Sequence, residues 1–466
     1  MAEGVHESQI VATYRARTPR AAALHRQALG VLPSGIVHDS RRTLPYGIYG
    51  ERGLGSRKWD VDGNEYVDYY GGHGALLLGH QHPTVVEAIR EQLAKGLHLA
   101  AANELEIEWA QRIQSMMPSA ERVRFTSSGT EATQLAMRLA RAASGKSRIV
   151  RFQSHFHGWH DQVSFGVTEH LDGSPGVGVL QEVADNTTLI APNDIAAVER
   201  VLGAGDVAAV MIEPIGSSSG AIPTSREVLG ALREITRRQG VLLIFDEVVT
   251  GFRVSPGGAQ SLYGVTPDLT TLAKIVAGGM PGGAVGGRKD VLDWLDYEAS
   301  SAAGRERISH QGTHNAHPLS AAAGIATLDI IRDSDACSKA SATAATLRAR
   351  MNQVLEEEGV PWAIYGEHSF FHIYAPPADG PKHPTRFDAS TLTLDSAKSK
   401  NEAALSKMRL AMLNNGVDLK GWRGGIVSAA HTFADVELTL KAWRSALRAL
   451  KDEGELAGSD KAAAKV

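Results

Sequence analysis

Short apolar stretches alternate with amphipathic stretches through the middle of the chain. SRIVRF (147–152), VAAVMIEPI (207–215) and VLLIFDEV (241–248) have the length and the β-branched content of strands. GTEATQLAMRLARAA (129–143) and SREVLGALREITRRQ (225–239) carry apolar residues at the spacing of one helix face. This alternation predicts an α/β fold with a mostly parallel sheet covered by helices on both faces.

The composition changes on either side of this region, which predicts three domains. Residues 1–70 are predicted to form a polar helical segment and a hairpin whose turn is Asp62–Gly63. Residues 71–330 hold the strand–helix alternation and form the large domain. Residues 331–466, with strands near FFHIYA (370–375), form a smaller α+β domain at the C-terminus.

The overall charge gives no sign of a polyanionic partner. A formal charge of -4 on 466 residues and a pI near 6.5 predict neither nucleic acid nor a membrane surface as partner. The single cysteine, Cys337, excludes an internal disulfide and fits a reducing compartment. No apolar run approaches the ~20 residues that span a bilayer, and the N-terminus lacks a signal-peptide core, so the predicted location is the cytoplasm.

One polar feature at the predicted carboxyl edge of the sheet suits an anion. Ligands of open α/β sheets bind beyond this edge. Ser128, Gly129 and Thr130 follow the strand RVRF and open a helix, so their N–H groups and the helix dipole favour a phosphate. The alternative is a plain N-cap with Glu131 in the first turn.

Two charged side chains follow other strands that end at the same edge. Asp246 ends an apolar strand, where it could hold a protonated ring nitrogen or form a structural ion pair with Arg253. Lys274 stands among apolar residues, and a desolvated lysine loses its proton readily and forms Schiff bases with aldehydes. The alternative is a lysine that snorkels from a strand end. A phosphate site, a carboxylate and an imine-forming lysine together predict pyridoxal 5'-phosphate (PLP) as cofactor.

Six motifs support this interpretation: SSGTEA (127–132), HFHGWHD (155–161), IEPIGSSSG (212–220), FDEVVTGFR (245–253), PDLTTLAKIVAGGMPGGAVGG (267–287) and QGTHNAHPLSAAAG (311–324). With them the chain resembles the class-III aminotransferases, which are PLP enzymes of fold type I, in the branch that contains glutamate-1-semialdehyde aminomutase. The resemblance covers about residues 30 to 445. Within that branch, HFHGWHD and DVDGNEYVDYYGGHGALLLGH (60–80) look most similar to D-phenylglycine aminotransferase.

The resemblance implies a role for each residue that matches the family motifs. Gly129 and Thr130 would hold the phosphate. Phe156 would stack on the cofactor ring where the family usually has tyrosine, and His157 would lie beside it.

Further cofactor roles follow from the later motifs. Glu213 and Val248 would flank the cofactor, and Asp246 would bind its pyridine nitrogen. Lys274 would form the Schiff base, which makes Lys274 and Asp246 the predicted catalytic residues. Thr313 would reach the phosphate of the neighbouring subunit, so the resemblance implies a homodimer with shared sites.

Substrate recognition is predicted from fewer residues. Arg41 falls where the family has a carboxylate-binding arginine, with a solvated loop charge as the alternative. His73 stands where related enzymes carry an aromatic residue that borders the substrate. Trp422–Arg423 would border the entrance or pack the small domain. In the loop that the resemblance implies to face the neighbouring subunit, Ala316–His317 replace the Gly–Asn that is common in the family.

These residues predict an aminotransferase that moves an amino group between an amino acid and a keto acid. Aryl-bearing and non-standard amino acids, α or β, are within the predicted range. The alternative is an aminomutase of the glutamate-1-semialdehyde type, which uses the same residues while nitrogen moves within one molecule. His155, His157 and His160 lack a nearby cysteine or a second ligand cluster, so no metal site is predicted.

Overall fold

The computed structural model describes residues 8–377, 380–419 and 424–456. Trp422–Arg423, predicted above to border the entrance or to pack the small domain, lie outside these residues. The chain divides into two compact units. The first unit draws on Met1–His73, Leu77–His82 and Lys339–Val466, and the second unit is Gly74–Leu76 with Pro83–Ser338. Within the described residues, no helix has the length and apolar character that crossing a membrane requires.

The first part of the first unit is built from short helices and a meander of strands. Its elements are α1 (Gln9–Arg17), α2 (Pro19–Leu29), β1 (Gly50–Leu54), β2 (Arg57–Asp60), β3 (Glu65–Asp68) and α3 (Gly71–Gly74), the last of which runs into the second unit. The helical segment is two helices because Pro19, which donates no backbone hydrogen bond, begins the second. The predicted hairpin is confirmed: β2 and β3 pair antiparallel, and Gly63 has φ 83° between them.

The second unit alternates strands and helices. Its elements are α4 (Pro83–Lys95), α5 (Glu104–Met116), β4 (Arg122–Thr126), α6 (Gly129–Ser144), β5 (Arg148–Phe152), α7 (Gln181–Asp185), β6 (Thr187–Ile190), α8 (Ile195–Leu202), β7 (Val207–Ile212), α9 (Ser217–Gly220), β8 (Ile222–Pro223), α10 (Arg226–Gln239), β9 (Leu242–Asp246), α11 (Gly258–Tyr263), β10 (Leu269–Ala273), β11 (Gly283–Gly287), α12 (Lys289–Leu292), α13 (Tyr297–Ala302) and α14 (Pro318–Arg332).

Seven of these strands form one sheet in the order β4-β11-β10-β9-β7-β5-β6. β11 pairs antiparallel with both of its neighbours, and the other pairings are parallel. One apolar cluster joins α6 to the sheet, and another joins α8 and α10 to it. All six residues of β7 are buried, as expected for a central strand covered on both faces. The predicted mostly parallel sheet is confirmed, and its parallel strands end at one edge.

The C-terminal part of the chain completes the first unit. Its elements are α15 (Ala336–Glu357), β12 (Ala363–Tyr365), β13 (Phe370–Tyr374), α16 (Leu394–Lys398), α17 (Glu402–Asn414), β14 (Val417–Asp418), β15 (Gly425–Ile426) and α18 (Phe433–Asp452). β14 pairs parallel with β3, so both ends of the chain contribute to one sheet. The Lys58 ammonium joins them further, at 2.9 Å from Asp68 and 2.6 Å from Asp418.

Candidate active site

A cavity of about 370 Å³ lies at the carboxyl edge of the seven-stranded sheet, within the second unit. Its size is within the range of small-molecule and cofactor sites. Loops that follow β4, β5, β7, β9 and β10 contribute to its lining. Nine of the residues singled out from the sequence are among those that line it: Ser128, Gly129, Thr130, Phe156, His157, Glu213, Asp246, Val248 and Lys274.

The start of α6 forms the anion-binding end of this cavity. The Ser128 hydroxyl accepts a hydrogen bond from the Glu131 N–H at 3.2 Å, so the plain N-cap considered above is present. The cap does not exclude a ligand, because Gly129 and Thr130 also line the cavity. A Cβ on Gly129 would lie 3.0 Å and 3.1 Å from the two methyl groups of Val248, so glycine permits this close approach. The helix N-terminus can therefore bind a phosphate.

Lys274 follows β10 directly and opens a short 3-10 turn, Lys274–Ala277. Its backbone has φ 54°, a left-handed conformation that costs a non-glycine residue about 1–2 kcal/mol. Such strain is typical of functional sites. Burial lowers the pKa of the Lys274 amine, although the carboxylates of Asp246 and Glu213 oppose this shift. A lysine with a lowered pKa is more often neutral, and the neutral amine is the nucleophile.

Asp246 ends β9 and is held by three donors. Its Oδ2 lies 2.7 Å from His157 Nδ1, and its Oδ1 accepts hydrogen bonds from Val248 N–H at 3.1 Å and the Thr271 hydroxyl at 3.2 Å. Among the described residues, Asp246 forms no ion pair with Arg253, and the Arg253 guanidinium donates to the Gly74 carbonyl. Asp246 is therefore a buried, oriented carboxylate that faces a cavity.

The Glu213 carboxylate, which follows the neighbouring strand β7, fixes the loop after β5. Glu213 Oε1 accepts the Phe156 N–H at 2.7 Å, and the Glu213 N–H donates to His155 Nδ1 at 3.1 Å. Burial lowers the pKa of His155 well below its usual range, so the ring stays neutral and can accept this bond. Phe156 is 52% exposed and lines the cavity, so its ring can pack against a planar ligand.

Several residues that organise the site were missed by sequence reasoning. The Thr271 hydroxyl bonds Asp246, and the Thr133 hydroxyl donates to the His157 carbonyl at 2.6 Å. The sequence signal for both was a threonine among the apolar residues of a strand (Thr271) or of a helix face (Thr133). Glu247, beside Asp246, accepts bonds from the backbone N–H groups of Ala259 and Gln260 and so holds the following loop.

Three further predicted residues lie in other segments of the chain. Arg41 ends the short 3-10 turn Asp39–Arg41 of the first unit and is exposed. His73, in the same unit, is half-buried with φ 59°, and its Nε2 lies 3.2 Å from the Ser40 hydroxyl. Thr313 belongs to the second unit and is exposed in the loop before α14. In the part of the chain that the structure describes, no three His, Cys, Asp or Glu side chains are placed to hold a metal ion.

The fold and this site define the class of the protein. The chain belongs to the class-III aminotransferase family, whose model matches residues 39–378. A glutamate-1-semialdehyde 2,1-aminomutase from Archaeoglobus fulgidus is 38% identical over 426 residues, which cover 90% of this chain and 97% of that protein.

Two solved structures are also similar to the chain. One is an omega-transaminase from Sphaerobacter thermophilus (34% identity, 92% of this chain and 98% of that chain, TM-score 0.80). The other is a transaminase with PLP bound (32% identity, 94% of this chain and 99% of that chain, TM-score 0.81). The predicted family, the fold type I architecture and the PLP cofactor are therefore confirmed.

The described residues fit PLP. The cavity places a helix N-terminus, a neutralisable lysine and an oriented carboxylate around one space. The Nε2 atom of His157 is buried and, within the described residues, has no hydrogen-bond partner. A buried polar atom of this kind is usually satisfied by a ligand or a water.

Proposed function

We propose that the chain is a PLP-dependent aminomutase of the glutamate-1-semialdehyde type, which moves an amino group between neighbouring carbons of one substrate. The observation that carries the chemistry is the Lys274 amine, whose pKa is lowered by burial in the cavity that Asp246 also lines. The observation that favours the mutase is the group of relatives with this name, two of which are 38% and 34% identical over 90% and 92% of the chain.

The cofactor supplies an aldehyde that combines with amines and a ring that accepts electrons when its nitrogen is protonated. Lys274 would hold that aldehyde, and its free amine would carry the substrate Cα proton as general base and acid. Asp246 is proposed to keep the proton on the ring nitrogen. Ser128, Gly129 and Thr130 are proposed to bind the phosphate.

The remaining parts of the site hold and cover the ring. Phe156 is proposed to pack on one face of it, with His157 beside it and with Glu213 and Val248 at its flanks. Glu213 supports this position of Phe156, because its carboxylate fixes the Phe156 backbone.

Substrate binding is proposed for two residues of the first unit. Arg41 is proposed to bind the substrate carboxylate through two parallel hydrogen bonds, which is the geometry that arginine offers. His73 is proposed to border the substrate. Its left-handed backbone supports this, because such strain collects at ligand-binding positions.

A transaminase is the second candidate. It is favoured by the similarity to the omega-transaminase at 34% identity. The substrates would then be an amino acid and a keto acid, and the resemblance to D-phenylglycine aminotransferase stays a prediction. In either case we propose a cytoplasmic homodimer in which Thr313 reaches the phosphate of the neighbouring subunit.

One experiment separates the two candidates. The holoenzyme is given glutamate-1-semialdehyde alone, and in parallel ¹⁵N-labelled L- and D-amino acids, β-amino acids and arylalkyl amines with pyruvate or 2-oxoglutarate. Conversion of the semialdehyde without a keto acid supports the mutase. Transfer of ¹⁵N to the keto acid, without conversion of the semialdehyde, refutes the mutase and supports the transaminase.

A further inference from the structure

The Thr271 side chain contacts the predicted catalytic carboxylate from the neighbouring strand. Thr271 of β10 pairs in register with Asp246 of β9, and its carbonyl oxygen accepts the Glu247 N–H at 3.0 Å. Its hydroxyl donates to Asp246 Oδ1 at 3.2 Å. The residue is fully buried, so water does not compete for this bond. Thr271 has no role in the chemistry proposed above.

The donors to Asp246 are distributed unequally over its two oxygens. Each oxygen of a carboxylate has two positions at which it can accept a hydrogen bond. Oδ1 accepts the Val248 N–H and the Thr271 hydroxyl, so both of its positions are used. Among the described residues, Oδ2 has His157 Nδ1 as its one partner, so its second position is open.

These donors also fix the rotation of the carboxylate. The last torsion of an aspartate is broad, so the carboxylate turns unless its partners hold it. The Val248 N–H is only two residues away along the chain and moves with Asp246. Thr271 and His157 belong to β10 and to the loop after β5, and they contact one oxygen each. Together they set the plane of the carboxylate.

The Thr271 bond also bears on where a proton is held. A hydrogen bond donated to a carboxylate stabilises its charged form. A charged carboxylate leaves the proton on a basic partner and binds that partner by a charge-assisted hydrogen bond. Loss of the Thr271 donor would remove this stabilisation and loosen the carboxylate. Both effects would weaken the binding of a protonated nitrogen at Oδ2.

Thr270, the preceding residue of β10, is the natural comparison. Successive side chains of a strand point to opposite faces of the sheet. Thr270 is also fully buried, but its hydroxyl lies 2.8 Å from the Ser119 hydroxyl and accepts a bond from Gln260 Nε2 at 3.1 Å. The two threonines therefore share a strand and a degree of burial and differ in their partners.

We propose that Thr271 is a positioning residue that occupies Oδ1 of Asp246 and so directs Oδ2 to the ring nitrogen of the cofactor. This inference rests on the proposed function, in which Asp246 keeps the proton on that nitrogen. The open position on Oδ2 makes this oxygen the partner of the nitrogen, and Thr271 acts only through Asp246.

The test compares four variants with the wild-type holoenzyme. T271V removes the hydroxyl and keeps the shape of the side chain, whereas T271S keeps the hydroxyl. T271A is a second variant without the hydroxyl, and its smaller side chain fits even if valine packs poorly. T270V is the matched control, because it removes an equally buried hydroxyl from the same strand.

Three measurements separate positioning from a merely structural role. PLP labelled with ¹⁵N at its ring nitrogen reports the protonation of that atom in solid-state NMR spectra of microcrystalline holoenzyme. A crystal structure of the wild-type holoenzyme gives the distances from Oδ1 and Oδ2 to the ring nitrogen. Stopped-flow measurements with an amino substrate give the rate of the first half-reaction, and urea titration gives the stability of each variant.

We expect Oδ2, and not Oδ1, within about 3 Å of the ring nitrogen in the wild-type holoenzyme. T271V and T271A should shift the ¹⁵N resonance toward that of an unprotonated nitrogen. They should also slow the half-reaction by about ten-fold, the effect of losing one hydrogen bond to a charged group. T271S and T270V should keep the wild-type resonance and a rate within about three-fold of the wild-type chain, even where T270V loses stability.

The inference is overturned if Oδ1 lies nearer to the ring nitrogen than Oδ2, if T271V and T271A keep the wild-type resonance, or if T270V shifts it equally. In each of these cases a protonated ring nitrogen in the wild-type holoenzyme leaves the proposed function intact. An unprotonated ring nitrogen in the wild-type holoenzyme, or a wild-type chain that binds no PLP, refutes the proposed role of Asp246, and this inference with it.

Discussion

The hydrogen bond between His157 and Asp246 offers the sharpest test of how this site is built. His157→Phe keeps a ring of similar size but removes the Nδ1 donor that lies 2.7 Å from Asp246 Oδ2. His157→Asn is the matched control, because the asparagine amide nitrogen can take the place of Nδ1. In the phenylalanine variant the Asp246 carboxylate keeps the Val248 N–H and the Thr271 hydroxyl as donors.

The magnitude follows from burial and charge. The side chains of His157 and Asp246 are 0% and 3% exposed, so solvent does not replace a lost bond. A buried hydrogen bond to a charged group contributes about 1.5–3 kcal/mol. Because 1.36 kcal/mol corresponds to a factor of ten, H157F should weaken PLP binding by about 10- to 100-fold. H157N should remain within about three-fold of the wild-type chain.

PLP affinity is measured by titrating the apoenzyme and following the quenching of tryptophan fluorescence. A stopped-flow measurement of the first half-reaction with an amino substrate gives the accompanying loss of rate. Circular dichroism shows whether each variant has folded. If H157F and H157N bind PLP equally well, His157 does not support Asp246, and this account of the site is wrong.

Three further predictions concern single residues. Lys274→Ala should abolish turnover while PLP still binds without a covalent bond, since the phosphate site remains. Steady-state assays measure the turnover and PLP titration measures the binding. Full activity of the variant would refute the proposed role of Lys274. Ala316→Gly should leave the free energy of unfolding unchanged or raise it by up to about 1 kcal/mol, as measured by urea titration. The reason is that relief of the left-handed strain exceeds the entropy added to the unfolded chain. A loss of stability would contradict the assigned backbone conformation. Lys58→Met should cost about 3–5 kcal/mol of unfolding free energy, because it removes the ammonium that lies against both buried carboxylates and leaves Asp68 with the His80 ring and Asp418 with the more distant Arg409. A near-neutral result would show that Lys58 is dispensable. Burial raises the pKa of Asp68, but Lys58 and His80 together outweigh it and hold the pKa well below its usual value, so this part of the stability should be present above about pH 4 and lost as the pH falls further.

Most of the catalytic site could be read from local sequence. Asp246 and Lys274 each follow a short apolar strand, and parallel strands deliver their carboxyl ends to one edge of a sheet. The same rule placed Ser128, Gly129 and Thr130 beside them. That these five residues meet at one edge follows from the topology of the sheet, and all five line the cavity there.

The partners of these residues could not be read in this way. His157 and Asp246 are 89 positions apart, and nothing in either segment indicates that one ring nitrogen would bond one carboxylate oxygen. Arg253 was the nearer partner in sequence, but its guanidinium bonds the Gly74 carbonyl instead. A choice between two possible partners depends on distances of a few tenths of an ångström, which only packing fixes.

The chain by itself determined the order of strands and helices, the sheet edge at which the candidate residues meet and the amine proposed to carry the chemistry, because periodicity and strand direction are local properties. Tertiary structure decided that β3 near the N-terminus pairs with β14 near the C-terminus, and that Ala316 adopts a left-handed backbone. Both depend on contacts between segments far apart in sequence. Such contacts are stabilised by burial and hydrogen bonding that no short window of residues contains.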